Sequence, residues 1–298
     1  MTGVQTCALP ICFFKPQFSS LIISAPSAVR IPLNFGMEQN KRMRILMCQN
    51  STEGILCGVY EAFTSRYGHA WQKLAVGPYV NGDLFSDIYS VEVNTEKAGK
   101  VVKAIISKIS EEAWYLVHMA SEADSQEKGE IIYRFLILAF ANGRKVLNAM
   151  SIPEVMGLHQ LSRSVSRETQ HLYGFLRFQE LQNDILYARL VSKHHVGMFL
   201  AEHFQDRLPM EHWVIHDVER DEVWIHRAGE DWLYIRHPDF RQDPQMMLSS
   251  SEYAFTEWWK TFTESVAILE RRNPKLQMQM LPKRYWKYMP EMFTNPGR

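Results

Sequence analysis

Cationic and aromatic side chains alternate near the end of the chain, in a stretch that could hold the backbone and bases of a nucleic acid. Residues 270–298 contain seven lysines or arginines and two acids, a local net charge of +5. Phosphates require cations and unstacked bases accept aromatic faces, so this mixture suits an exposed nucleic-acid strand. The residues predicted here to contact nucleic acid are Arg271, Arg272, Lys275, Lys283, Arg284, Tyr285, Trp286 and Lys287.

The aromatic members of this stretch have a second interpretation. Neighbouring tyrosine and tryptophan side chains commonly anchor a chain segment in the core, and the lysines and arginines around them are then simply solvated. Residue types alone do not separate an anchor from a base-stacking surface. Both interpretations therefore remain open for Tyr285 and Trp286.

A second group of cationic side chains lies in the middle of the chain. Arg163, Arg167 and His171 are four residues apart, and this spacing places them on one face of a helix. Arg177 follows in the next predicted strand. The pattern predicts an anion-binding ridge, so these four residues join the predicted nucleic-acid contacts. The alternative is an ordinary solvated helix face, or arginines paired with nearby glutamates.

Four side chains could instead support acid–base chemistry. His171, His216 and Asp217 are candidate proton donors and acceptors, and Arg177 is a candidate stabiliser of an anionic group. Convergence of the four in one concave pocket would indicate an enzyme. Cations spread along a groove or ridge would indicate a binding module.

The histidines of the second half do not predict a metal site, and no cofactor is expected. His212 and His216 are four residues apart, but they lie where a strand is predicted to begin, so this spacing does not put them on one helical face. The sequence also contains no glycine-rich phosphate loop, no Gly-x-Ser-x-Gly motif and no Cys-x-x-Cys pair.

Composition limits the classes of partner. The formal net charge is zero, so an interaction with nucleic acid has to rest on local patches of charge. Hydrophobic residues make up 46% of the chain, which is enough for a core. No apolar run reaches the roughly 18 residues that a membrane-spanning helix needs. We therefore expect a cytoplasmic protein that does not bind membranes.

The first 36 residues differ from the rest. The opening MTGVQTCALPI resembles a translated sequencing-library adapter, and no acidic residue occurs before Gly36. We expect residues 1–36 to be a non-native, disordered leader and the natural start to be Met37 or Met43. Only Cys48 and Cys57 then remain, too few for a disulfide framework.

Residues 43–293 are predicted to form a single α+β domain with a helix-rich half (43–174) and a strand-rich half (175–293). In the first half, residues 44–48 and 88–93 are predicted strands, and residues 67–87 are predicted to be a loop. Predicted helices then cover residues 51–63, 102–117, 130–150 and 153–174, the last beginning at a proline in the favoured first turn.

The second half has the pattern of a sheet. Strands are predicted at residues 175–181, 185–191, 213–218, 222–227 and 232–236, with a helix at 196–208 between the second and third. Ser249 and Glu252 form a capping box before a last amphipathic helix, which carries on one face Phe255, Trp258, Trp259, Phe262, Val266 and Leu269. Helices and strands are grouped, which favours an antiparallel sheet of hairpins and a meander packed with amphipathic helices.

Four separated motifs occur in order along the chain: RILMCQNSTEGILCGVYEAF, VSRETQHLYGFLRFQEL, HWVIHDVERD and VAILERRNPKLQMQMLPKRYWKYMPE. Together they resemble an uncharacterised bacterial family, filed as a domain of unknown function among DNA-metabolism and DNA-repair proteins. Genes of this family lie beside a radical-SAM protein, and some members are fused to a uracil-DNA-glycosylase-like domain. The resemblance covers about Met43 to Glu291.

The resemblance implies a role in DNA repair or modification without implying a reaction. The chain lacks a three-cysteine cluster-binding run, so radical-SAM chemistry would belong to the partner. Our first hypothesis is a DNA-binding accessory to that partner. The alternatives are an enzyme that acts directly on damaged DNA, hydrolase- or glycosylase-like, and a protein-interaction scaffold.

Overall fold

A three-stranded parallel sheet begins the fold. The computed structural model describes residues 42–77, 86–240 and 244–292, so the leader lies outside the described residues. The strand order is β2-β1-β3, and both neighbours run parallel to β1. The strands are β1 (Met43–Cys48), β2 (Gln72–Val76) and β3 (Ser86–Ser90).

The prediction that residues 67–87 form a loop is wrong, because β2 lies inside this range. Gln72, Leu74 and Val76 alternate inward and are buried, but the turn signals that follow obscure this short alternation. Helix α1 (Thr52–Thr64) connects β1 to β2. A helical crossover of this kind brings the second strand back parallel to the first.

Four further helices pack with α1 around the first core, which contains Ile55, Ile105, Ile132, Phe135 and Leu158, all fully buried. The single helix predicted at residues 102–117 is two helices, because Ser110 caps the second by accepting from the Ala113 N–H at 3.1 Å. The four helices are α2 (Thr95–Lys108), α3 (Glu111–Ser121), α4 (Lys128–Asn142) and α5 (Pro153–Phe175).

A five-stranded sheet forms the second half, in the order β4-β5-β6-β7-β8. The hairpin and the meander are confirmed as antiparallel. However, β5 and β6 are parallel, because α6 (Gly197–Arg207) crosses over between them. The fold is therefore α+β as predicted, while the antiparallel sheet is only partly correct. The strands are β4 (Phe178–Glu180), β5 (Leu186–Leu190), β6 (Trp213–Asp217), β7 (Glu222–His226) and β8 (Leu233–Arg236).

The last helices are α7 (Ser250–Ser265) and α8 (Pro274–Met280). The capping box is confirmed, because the Ser249 hydroxyl accepts from the Glu252 N–H at 3.0 Å. The apolar face of α7 is solvent-exposed: Trp258 is 72% exposed, and Phe255 and Phe262 are also exposed. Amphipathic spacing shows that a face suits an apolar partner, but it does not say that the core supplies one.

Within the parts of the chain that the structure describes, no helix is both long enough and apolar enough to cross a membrane.

Candidate functional site

The aromatic C-terminal stretch is anchored by Tyr285. Residues 283–288 form a short 3-10 helix, and Tyr285, 5% exposed, belongs to the second core. Its ring lies against His171 and Phe175 of α5, with centroid distances of 6.2 and 5.6 Å. Burial raises the pKa of Tyr285 to about 12. The structure therefore favours the anchor interpretation for this residue, because its ring has no free face for a base.

Glu168 on α5 holds the anchor in place. Its carboxylate accepts from the Tyr285 hydroxyl at 3.2 Å and pairs with the Arg284 guanidinium at 3.1 Å. It also accepts from the backbone N–H groups of Lys193 and His194 at 3.0 and 2.7 Å. One buried carboxylate thus joins α5, the loop before α6 and the C-terminal stretch.

This anchor brings two predicted cationic groups together. Arg163 and Arg167 are exposed on α5, and Lys283, Arg284 and Lys287 are exposed on the 3-10 helix. Arg284 reaches Glu168, one residue from Arg167. We call these five residues the cation face.

His171 lies at the border of the cation face. Burial, and then the charges of Arg284 and Arg167, lower its pKa. The two arginines, 117 positions apart, thus act on the same imidazole. The Nδ1 atom of His171 is buried and has no hydrogen-bond partner among the described residues.

The other predicted nucleic-acid residues have different surroundings. Arg177 donates to the Glu291 carboxylate at 2.7 and 3.0 Å, so it fastens the C-terminal segment. Trp286 is half-buried and donates to the Leu281 carbonyl at 3.0 Å. Arg271, Arg272 and Lys275 are exposed before and within α8.

The four candidate acid–base residues are not brought into one contact network among the described residues. His216 lies 2.6 Å from the Tyr187 hydroxyl, and burial lowers its pKa. Asp217 is fully buried and pairs with Arg220 at 2.7 Å. His171 and Arg177 instead contact the C-terminal segment, as described above.

A polar cleft of about 390 Å³ lies where the two halves of the fold meet. The carboxyl end of β1, the end of α3 and the start of α4 form one side, and the loop before α6 with strands β7 and β8 forms the other. The cleft is lined by Asn50, Glu122, Ala123, Asp124, Lys128, His195, Arg220, Glu222, Arg236 and His237.

His195 joins the two sides of this cleft. Its Nδ1 lies 2.6 Å from a Glu122 carboxylate oxygen, and its Nε2 lies 2.6 Å from a Glu222 oxygen. Both carboxylates are acceptors, so both ring nitrogens donate and the imidazole is protonated. Glu122 also accepts from the Thr52 hydroxyl, and Glu222 pairs with Arg236.

The pKa values follow from this arrangement. Burial alone lowers the pKa of His195, but the hydrogen bonds and charges of Glu122 and Glu222 outweigh burial and raise it to about 9. Burial alone raises the pKa of Glu222, but the hydrogen bonds from His195 and Tyr234 lower it to about 2. At neutral pH the three groups form a charged clamp between α3 and β7.

We expect the clamp to make stability fall at alkaline pH. The pKa of His195 rises from 6.5 to about 9 on folding, so its contribution is complete below pH 6.5 and is lost as the pH passes 9. Between pH 7 and 9 the free energy of unfolding should drop by about 2 kcal/mol. Urea unfolding at several pH values measures this. The His195→Gln variant should lack the drop, and an equal drop in both proteins would contradict the clamp.

His194 has a partner that suggests a serine nucleophile, but its tautomer excludes that role. Its Nε2 lies 2.6 Å from the Ser164 hydroxyl oxygen. Its Nδ1 accepts from the Asp124 backbone N–H at 3.0 Å, so in the neutral ring the proton is on Nε2. This ring donates to Ser164 and cannot remove the serine proton.

The described residues contain no group of three histidine, cysteine, aspartate or glutamate side chains that could hold a metal ion. Cations, carboxylates and the protonated ring of His195 line the cleft. No local sequence pattern predicts the cleft, because Glu122 and Glu222 are 100 positions apart and neither belongs to a motif.

The fold and its two sites define an α+β protein with a cation face on one side of a short loop and a polar cleft on the other. Residues 126–291 match the family model described as a domain of unknown function, DUF4130. This match covers more than half of the chain, so the protein belongs to that family. No curated protein and no solved structure matches the chain.

Proposed function

We propose that the protein binds DNA through the cation face and serves as an accessory to a radical-SAM partner. The observation that supports DNA binding is the contact between Arg284 and Glu168, because it brings a C-terminal cation to the residue next to Arg167 on α5. The partner is proposed on the family resemblance of the four sequence motifs alone.

The distribution of charge supports a binding surface. The chain has no net charge, so these cations form a local patch whose field is strongest near the surface. Arg163, Arg167 and Lys287 are exposed, as side chains that neutralise phosphates must be. Contacts to phosphates carry most of the affinity of proteins that bind DNA without reading its sequence.

A matched pair of variants tests this proposal. The first replaces Arg163, Arg167 and Lys287 by alanine and leaves Arg284, since Arg284 pairs with buried Glu168. The control replaces three exposed lysines of α2 by alanine and changes the net charge equally: Lys100, Lys103 and Lys108.

We expect the first variant to lose affinity for a short DNA duplex or single strand by about 100-fold at low salt. The control should bind as the wild type does. Fluorescence anisotropy measures both. Equal losses in the two variants would mean that only total charge matters, and the cation face would then be wrong as the binding site.

The polar cleft supports a second candidate function, an enzyme that acts directly on damaged DNA. Charged groups of both signs meet there around a cavity large enough for a small ligand. The residues that would carry chemistry in it differ from the four suggested by the sequence.

A further inference from the structure

Lys128 is a buried amine that opens into the polar cleft. It is the first residue of α4 and is 5% exposed. Its Nζ donates to the Ser121 carbonyl at 2.6 Å. Among the described residues, no carboxylate oxygen forms an ion pair with it within 4.0 Å, although Glu122 and Asp124 line the same cleft. The carboxylates of the clamp are instead occupied by His195 and Arg236.

An ammonium in this position is costly, because a buried charge needs a close partner. Burial lowers the pKa of Lys128, and the charges of Glu122 and Asp124 offset this only in part. When this amine loses its proton, it keeps an N–H for the Ser121 carbonyl and has a lone pair free. Buried lysines of this kind are the ones that attack carbonyl groups.

We propose that Lys128 is a nucleophile that captures an aldehyde in the polar cleft as a Schiff base. The nitrogen lone pair attacks the carbonyl carbon, and a C–N bond forms while the C–O π bond breaks. One amine proton moves to the oxygen to give a carbinolamine. The C–O bond then breaks, and the oxygen leaves as water after taking up the second amine proton, which leaves a C=N bond. The step needs no oxidant or reductant.

The surroundings suit an aldehyde that carries phosphate. Arg220 and Arg236 line the cleft, and the Arg236 side chain is about half exposed, so it can meet an anion that enters. If the protein binds DNA as proposed above, the aldehyde is the ring-opened sugar of an abasic nucleotide, with a flanking phosphate directed to Arg236.

The loop before α6 connects this capture to DNA binding. Glu168 binds the backbone of Lys193 and His194 beside the cation face, and the next residue, His195, lines the cleft. DNA on the cation face would therefore lie one short loop away from Lys128.

Reductive trapping tests the proposal. The full chain is mixed with a labelled oligonucleotide that contains one abasic site, and cyanoborohydride reduces the Schiff base to a stable amine. The adduct is separated on a denaturing gel and its position is found by peptide mass spectrometry. The variants are Lys128→Arg, which keeps a cation that can donate to Ser121, and Lys103→Arg, which changes an exposed lysine.

We expect the wild type and Lys103→Arg to give the same adduct, on Lys128. The Lys128→Arg variant should lose at least about 100-fold of the trapping rate, since an ordinary exposed lysine has only about one neutral amine in 2,500 at pH 7. Trapping that is unchanged in Lys128→Arg would overturn the assignment.

A second arm uses glyceraldehyde 3-phosphate as a free phosphorylated aldehyde, with intact-mass detection. An adduct on Lys128 with this probe but not with abasic DNA would support Lys128 as the nucleophile. It would overturn DNA as the source of the aldehyde. Binding of abasic DNA with no adduct from either aldehyde overturns this inference while the proposed DNA-binding function stands.

Discussion

The Glu168→Gln variant is expected to lose about 4 kcal/mol of unfolding free energy, the largest effect of any single substitution considered for this protein. All four groups around this carboxylate are donors: two backbone N–H groups, the Tyr285 hydroxyl and the Arg284 guanidinium. An amide must turn its NH₂ toward at least one of them. It also leaves Arg284 without its charged partner.

Urea unfolding of the Glu168→Gln variant measures this loss. The control is Glu112→Gln, which removes the same charge from an exposed ion pair with Arg144 and should cost less than about 1 kcal/mol. The C-terminal stretch should also detach first, visible as earlier exposure of Tyr285 to solvent. A loss as small as that of the control would show that Glu168 does not hold the C-terminal segment.

The Gly197→Ala variant is expected to lose about 3 kcal/mol, because the position has no room for a methyl group. A Cβ atom there would lie 2.1 Å from the indole of Trp224. This ring is fully buried and lies 5.7 Å from the His195 ring, centroid to centroid. The indole cannot yield without disturbing the second core and the clamp.

Gly99→Ala provides a control with the opposite expected sign. Gly99 lies inside α2 with open space around it, so alanine there should stabilise the protein by about 0.5–1 kcal/mol. Thermal unfolding of both variants gives the comparison. Similar effects of the two substitutions would mean that Trp224 moves aside at little cost.

Local features of the fold could be predicted from the sequence because local contacts create them. The Pro153 start of α5, the Ser249 cap of α7 and the hairpin before β5 each depend on residues within a few positions. The direction of strand pairing was harder to predict from the sequence, because the parallel pairing of β5 and β6 depends on how α6 packs. The exposed face of α7 could not be distinguished from a core face by spacing alone.

The candidate sites were predictable only in part for the same reason. The spacing of Arg163 and Arg167 and the composition of the C-terminal stretch predicted the cations themselves. The contact between Glu168 and Tyr285, which joins the two groups, is visible only in the structure. The polar cleft had no sequence signal. Lys128 differs through its burial from the other lysines that the structure describes, a property that follows from the packing of α3 against α4.

The most direct test of the DNA-binding face is the dependence of DNA affinity on salt concentration. Each phosphate contact contributes about 0.9 to the slope of log affinity against log salt on duplex DNA. We expect replacement of Arg163, Arg167 and Lys287 by alanine to reduce the magnitude of the wild-type slope by about 2.7. The variant with the three α2 lysines replaced should keep the wild-type slope. A slope unchanged by the first variant would contradict the cation face as the surface that binds DNA.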